Sequence, residues 1–162
     1  MKKNFSSKIL NYIVMLGIIL TLLTLLAIPL LLTAIFKSNL GIVGSNMPVN
    51  IAIGVYICAI PYVVALFILK KLCKLIAIKQ PFSRKIPLYL KQISICAFSE
   101  ILIFNIVQLA LYYIFDIYLY GLTIISVIVV SFVSLSIGFL NIVLSKLFDM
   151  VIEIKEENDK TI

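Results

Sequence analysis

Glu100 is the one ionisable residue in the long apolar run from Ile93 to Phe115. At helical rise it lies about 12 Å from the start of that run, a depth at which a carboxyl group must be paired, protonated or open to water. Asn105 and Gln108 follow in the same run. The next apolar run supplies further polar residues that could hydrogen-bond the carboxyl group, namely Ser126, Ser131, Ser134, Ser136 and Asn141. Two interpretations stay open for these intramembrane polar residues: a polar network that packs helices, and coupling to a proton, an ion or a ligand. Ser131, Ser134 and Gly138, on neighbouring turns of the fourth run, favour close contact with another helix.

The usual catalytic constellations are absent from this sequence. It contains no His, no HExxH, GxSxG or Walker A pattern, and no pair of carboxylates at catalytic spacing within the apolar runs. Its three cysteines, Cys58, Cys73 and Cys96, show no CxxC spacing. We expect Cys58 and Cys96 to act as apolar fillers, and the sequence offers Cys73 no partner that would make it a metal ligand or a nucleophile. The sequence therefore predicts a protein that is not an enzyme and that uses no metal or cofactor.

The carboxyl-terminal segment 145–162 reverses the positive charge of the chain, with five acidic residues against three lysines. Leu144, Leu147, Val151 and Ile154 recur at helical spacing, which predicts an amphipathic helix whose apolar stripe lies against another surface. The candidate partner-binding residues are Leu147, Phe148, Val151, Ile154, Glu153, Glu156, Glu157 and Asp159. Their partner is either the basic segment of the same chain or a soluble protein with a basic surface, such as a DNA-binding regulator. A tail that is merely solvated is the third interpretation.

The basic segment 70–92 carries seven basic residues and no acid. Leu72, Leu75 and Ile76 fall at helical spacing among its lysines, which predicts a basic amphipathic helix at the membrane surface that ends before Pro81. Ser83 is the predicted N-cap of a further short helix. The candidate docking residues are Lys74, Phe82, Arg84 and Lys85. They contact either lipid headgroups or an acidic partner protein.

These residues must be positioned by membrane-spanning helices. The chain is 63% apolar, its mean hydropathy is +1.20, and apolar runs occupy about residues 12–36, 51–69, 93–115 and 122–144. Each run is long enough to cross the hydrocarbon core of a bilayer. Pro29, four residues after Leu25, should kink the first helix or remove one of its backbone hydrogen bonds, and Pro61 should interrupt the second. The predicted fold class is all-α: a polytopic membrane protein forming one domain over residues 1–162, a four-transmembrane-helix bundle with cytoplasmic amphipathic helices.

Basic residues are distributed unevenly among the segments between these runs. Of the fourteen, thirteen lie before the first run, in the basic segment or in the tail, and Lys37 alone lies between the first and second runs. The positive-inside rule then places both termini in the cytoplasm. We expect membrane lipids as partners and no direct contact with nucleic acid, and association of several copies is compatible with the sequence.

Two short segments resemble a known family. Leu147-Phe148 followed by the sequence EIKEENDKTI at 153–162 resembles the closing signature of the DUF2975 family, in which an apolar residue stands at the position of Lys160. Gln80-Pro81-Phe82-Ser83 resembles the Pro-Phe-Ser segment of that family. The layout of four spans agrees with the family along nearly the full length.

The resemblance implies a small bacterial protein of the cell membrane whose biochemical function is unknown. Family members are often encoded beside a small helix-turn-helix regulator. The resemblance thus implies a membrane sensor or regulator that partners a small cytoplasmic helix-turn-helix transcription regulator. Two alternatives stay open: a small proton- or ion-coupled transporter that uses Glu100, and a bacteriocin immunity protein.

Overall fold

The computed structural model describes residues 2–39, 46–77, 83–115 and 120–160. These residues form four helices: α1 (Lys2–Asn39), α2 (Met47–Ala77), α3 (Lys85–Tyr113) and α4 (Tyr120–Lys160). All four are long and apolar enough to cross a membrane, and no strand occurs among the described residues. The all-α fold class predicted from the sequence is confirmed.

Helix ends follow the local chemistry of proline and serine. Pro48 and Pro87 lie in the first turns of α2 and α3, where backbone N–H groups have no partner within the helix, so the missing N–H of proline costs little. Pro61 lies inside α2, which continues through it without interruption. Ser83, the predicted N-cap of α3, lies one residue too early, because Arg84 occupies that position. The Ser83 hydroxyl nevertheless accepts a hydrogen bond from the Lys85 N–H at 3.4 Å.

The helices pack in chain order. Helix α1 lies against α2, α2 against α3, and α3 against α4, and within the described residues no other pair of helices comes into close backbone contact. Neighbours are antiparallel: Val14 and Ile18, early in α1, pack with Cys73, late in α2, while Leu72 packs with Ile86, early in α3. One end of this array therefore holds the start of α1, the end of α2, the start of α3 and the end of α4. We call it the basic end, and Lys37 lies towards the opposite end.

The predicted amphipathic extension of the second span is part of α2. The helix runs on without a break to Ala77, and Leu72 and Cys73 in this extension are buried against α3 and α1. Its apolar residues thus contact the protein itself. The sequence prediction that Pro81 ends this helix falls on a residue outside the described ranges.

The contact between α3 and α4 depends on small residues. A Cβ atom added at Gly138 would lie 2.8 Å from the ring of Phe98, so only glycine allows this approach. The Ser94 hydroxyl donates to the Gly138 carbonyl at 2.9 Å, and the Phe98 ring meets Phe139 edge to face at a centroid distance of 5.6 Å. Gly138 and Ser134 are both buried. The helix contact predicted from small residues in the fourth span is therefore present.

The contact between α1 and α2 includes a hydrogen bond that replaces the one removed from α1 by Pro29. Because proline has no N–H, the carbonyl of Leu25 loses its partner four residues later in the helix. The Tyr56 hydroxyl of α2 donates a hydrogen bond to this carbonyl at 3.0 Å. The polar group released by the proline is thus satisfied by the neighbouring helix, as the membrane environment demands.

Candidate functional site

At the basic end, the last part of α4 is held against α3 along one face. Ser145 is fully buried and its hydroxyl donates to the Pro87 carbonyl at 3.0 Å. Phe148 packs on the apolar cluster that contains Ile86, and Ile152 is only 4% exposed. The positions 145, 148 and 152 recur at helical spacing, so this packed face continues the transmembrane contact between α3 and α4 beyond the apolar segment.

Two ion pairs extend the packed face. Arg84 donates to both carboxylate oxygens of Glu156, with 2.9 Å between Nε and Oε1, and Lys91 lies 3.7 Å from Asp149 (Nζ to Oδ2). Glu156 lies beyond the apolar segment 122–144, and the hydrogen bond from Arg84 lowers the pKa of its carboxyl group. Both pairs are largely exposed, so their main effect is on orientation rather than stability. Of the partners considered possible for the tail, these contacts involve the basic segment of the same chain, through Arg84 and Lys91.

The opposite face of this tail helix points away from α3. Leu147, Val151 and Ile154 are 47%, 45% and 59% exposed. Three of the four residues of the expected apolar stripe are thus uncovered in the single chain, whereas Leu144 packs on the cluster that contains Ile86. The packed face also contains Ser145 and Ile152. Apolar periodicity predicted this helix, but the small Ser145 decides which side approaches α3, because it permits close contact of the backbones.

The remaining candidate residues at this end lie on the surface. Lys74 and Lys85 are exposed, as are Glu153, Glu157 and Asp159. Phe82 lies outside the described residues. The basic end therefore presents an outward apolar stripe bordered by both acidic and basic side chains.

A second candidate site lies between α2 and α4. Within the described residues the backbones of these two helices do not approach each other closely, and α3 forms the floor of the space between them. The space consists of two clefts, of about 470 Å³ and 270 Å³, which share four lining residues. The shared residues are Tyr62, Glu100, Ser134 and Ile137. Glu100 thus lies on the floor where the two clefts meet, and we call the combined space the Glu100 cleft.

The carboxyl group of Glu100 contains a buried oxygen, Oε2, that is not hydrogen-bonded by the described residues. The predicted partners Ser136 and Asn141, and Asn105 on the same helix, instead donate to carbonyl groups four residues back in their own helices, at 2.7 to 2.8 Å. Ser134 lines both clefts. The polar network predicted around Glu100 is therefore not formed at Oε2.

Comparison with known proteins decides the classification. The family described as "Protein of unknown function (DUF2975)" matches residues 32–162, from the last turns of α1 to the end of the chain. The chain belongs to the DUF2975 family. No curated protein and no solved structure matches this sequence. Both candidate sites of this DUF2975 member, the basic end and the Glu100 cleft, lie within the matched residues.

Other reactive groups in this DUF2975 member do not converge. Within the described ranges, no group of three or more His, Cys, Asp or Glu residues could hold a metal ion. The three cysteines are free thiols: Cys73 is buried between α1 and α2, while Cys58 and Cys96 each line one part of the Glu100 cleft.

Sequence reasoning missed the contribution of Tyr62 to this cleft and the pairing of Lys91 with Asp149. The second could have been found from the antiparallel register of α3 and α4, since it places opposite charges side by side. The contribution of Tyr62 depends on a cleft between helices whose backbones lie apart, for which the sequence carries no signal.

Proposed function

We propose that this protein is a non-enzymatic regulator in the bacterial cell membrane whose basic end faces the cytoplasm and binds a small helix-turn-helix transcription regulator. The observation that carries the proposal is the outward face of the tail helix. Leu147, Val151 and Ile154 form an uncovered apolar stripe on a helix whose other side is fixed to α3. An amphipathic helix of this kind is a common recognition element, because its apolar residues enter a groove of the partner.

Charge supports the orientation in this proposal. The antiparallel order of the helices collects the basic segments at one end and leaves Lys37 towards the other. The positive-inside rule assigns the basic end to the cytoplasm. The assignment can be tested with Lys37→Cys and Asn158→Cys in a chain whose three natural cysteines are replaced. A membrane-impermeant maleimide applied to intact cells should label the first and spare the second, and the reverse pattern would exclude the orientation.

Charge also supports the nature of the partner. Glu153, Glu157 and Asp159 are exposed next to the apolar stripe. A DNA-binding regulator carries a basic surface, for which these carboxylates are electrostatically complementary. DNA and the tail would then compete for the same surface of the regulator, so that binding to the membrane protein removes it from DNA.

The experiment is the capture of the regulator encoded by the adjoining reading frame on full-length protein in detergent micelles. Val151→Ser combined with Ile154→Ser should abolish capture, because polar side chains on the outward face remove the apolar contact while the packed face stays intact. Val151→Leu with Ile154→Leu is the matched control and should retain it. If the serine and the leucine double variants capture the same amount of regulator, the outward face of the tail helix does not bind it and this part of the proposal is wrong. Added operator DNA should release the captured regulator from the unmodified protein.

A second candidate function is a proton- or ion-coupled carrier. The specific observation in its favour is the buried Glu100 Oε2, which has no hydrogen-bond partner in the described ranges and lies at the junction of two clefts. Intramembrane carboxylates of this kind mark coupling sites in many transporters. Proton flux into proteoliposomes should then disappear in Glu100→Gln, and flux that is the same in both proteins would exclude this function.

A further inference from the structure

The Glu100 cleft contains one acid and no base. Among the described residues that line its two parts, Glu100 is the only carboxylate, and none is Lys or Arg. A carboxylate within the hydrocarbon region is costly unless a positive charge or a proton neutralises it. The described lining residues supply no cation there, so a proton or a cation that enters the cleft is the candidate for the neutralising group.

The size of the cleft indicates more than a proton. Its larger part has a volume of about 470 Å³, which falls in the range of about 300 to 1,000 Å³ that is typical of small-molecule sites. Its lining is mostly aliphatic, and Tyr62 and Phe104 add aromatic surface, against which organic cations pack favourably. The opening lies between α2 and α4, whose backbones do not approach each other closely in the described part of the chain, so a molecule can enter from the side that faces the lipid.

The lining also excludes a hydrated metal ion as the main occupant. Calcium and magnesium ions need about six or more oxygen ligands, whereas the cleft offers one carboxylate with a few scattered polar groups, among them Ser134, Gln108 and Asn141. An apolar wall cannot replace the hydration shell of such an ion. An organic cation carries its own apolar surface and needs only a single counter-charge.

We propose that the cleft between α2 and α4 is a binding site for a lipophilic organic cation, with Glu100 as the counter-charge. The cleft is separate from the basic end, so the two proposals can fail independently. A protein that does not bind the cation can still capture the regulator, and the reverse also holds. In a sensor, the cation is the signal; in a carrier, it is the substrate.

The test uses full-length protein in lipid nanodiscs and two probes of equal size and opposite charge, tetraphenylphosphonium and tetraphenylborate. The unmodified protein should bind the phosphonium saturably above the level of empty nanodiscs, and it should not bind the borate. Glu100→Gln should weaken phosphonium binding about tenfold or more, because the buried charge pair is lost. Equal binding of both probes, or equal phosphonium binding by the variant, would overturn the proposal and leave a lipid chain as the occupant.

Two tryptophan variants test the same site by blocking it, without changing its charge. Val133 lines the larger part of the cleft and is 48% exposed, whereas Val143 is 53% exposed on the same helix and lines neither part. Val133→Trp should fill the cleft and block phosphonium binding, and Val143→Trp should leave it unchanged. If neither tryptophan changes binding, the cation binds elsewhere and the proposal is wrong. If the phosphonium does not bind and Val133→Trp alone dissociates a dimer, a second copy of the chain occupies the cleft.

Discussion

Removal of the Tyr56 hydroxyl should destabilise the contact between α1 and α2 in a way that depends on Pro29. In the structure this hydroxyl lies 3.0 Å from the Leu25 carbonyl, which has no partner in its own helix because Pro29 carries no N–H. Hydrogen bonds between membrane helices contribute about 0.6 kcal/mol on average and up to about 1.7 kcal/mol. We expect Tyr56→Phe to lie in the upper part of that range, since the carbonyl that it leaves behind has no other donor.

The dependence on Pro29 separates this explanation from a general loss of packing. Pro29→Ala restores an N–H that can donate to the Leu25 carbonyl within α1. In that background, Tyr56→Phe should cost less than about 0.5 kcal/mol, because the carbonyl keeps one hydrogen bond. The unmodified protein, the two single variants and the double variant form a double-mutant cycle. Its coupling energy measures how far the Tyr56 hydroxyl compensates for the hydrogen bond that Pro29 removes.

The assay is reversible unfolding by sodium dodecyl sulfate in mixed micelles, followed by far-ultraviolet circular dichroism, since the chain has no tryptophan to report by fluorescence. Tyr12→Phe is the matched control, because Tyr12 is 71% exposed on α1. It should leave the free energy of unfolding unchanged. If Tyr56→Phe costs the same with proline and with alanine at position 29, the hydrogen bond to Leu25 does not compensate for the proline and the reasoning is refuted.

Three further predictions concern the contact between α3 and α4. Gly138→Ala should lower the free energy of unfolding by about 1 to 3 kcal/mol through overpacking against the Phe98 ring, which lies 2.8 Å from the added Cβ, and Phe98→Leu should recover part of it. Ser145→Ala should cost about 0.5 to 1.5 kcal/mol in the same unfolding assay, because a buried carbonyl loses its donor, and no loss would contradict the role of this hydrogen bond. The Arg84 guanidinium lowers the pKa of Glu156, so the exposed pair orients the end of the tail helix at neutral pH and should be lost as the pH falls below the ordinary glutamate value of about 4.3. A spin label attached at position 159, through Asp159→Cys, should become more mobile over that acid range. Glu156→Gln should remove the pH dependence.

Much of the architecture was predictable because hydropathy and charge act along the chain. Apolar runs long enough to cross a bilayer predicted all four helices, and the recurrence of apolar residues after Leu144 predicted that the fourth continues into the tail. Glu100 was predictable as a site for the same reason, since a single acid in an apolar run contrasts with its sequence neighbours. The small residues Ser134 and Gly138 predicted the close helix contact, because only small side chains allow two backbones to approach.

The faces that these helices use were decided only by tertiary structure. Leu147, Val151 and Ile154 belong to the predicted apolar stripe, yet they are exposed. Ser145, Phe148 and Ile152 lie on the packed side instead, where Ser145 hydrogen-bonds the Pro87 carbonyl of α3 and Phe148 packs on the cluster that contains Ile86. Shape complementarity between residues far apart in sequence leaves no trace in the periodicity of either helix.

The same limit applies to the Glu100 cleft. The sequence by itself determined that a carboxyl group is placed within the membrane, since this follows from the length and composition of one apolar run. Only the tertiary structure decided that α2 and α4 stay apart above Glu100 and that its Oε2 atom has no partner among the described residues. The physical reason is that a cleft depends on how far apart the backbones of two helices lie, and this is a property of the whole array rather than of any segment.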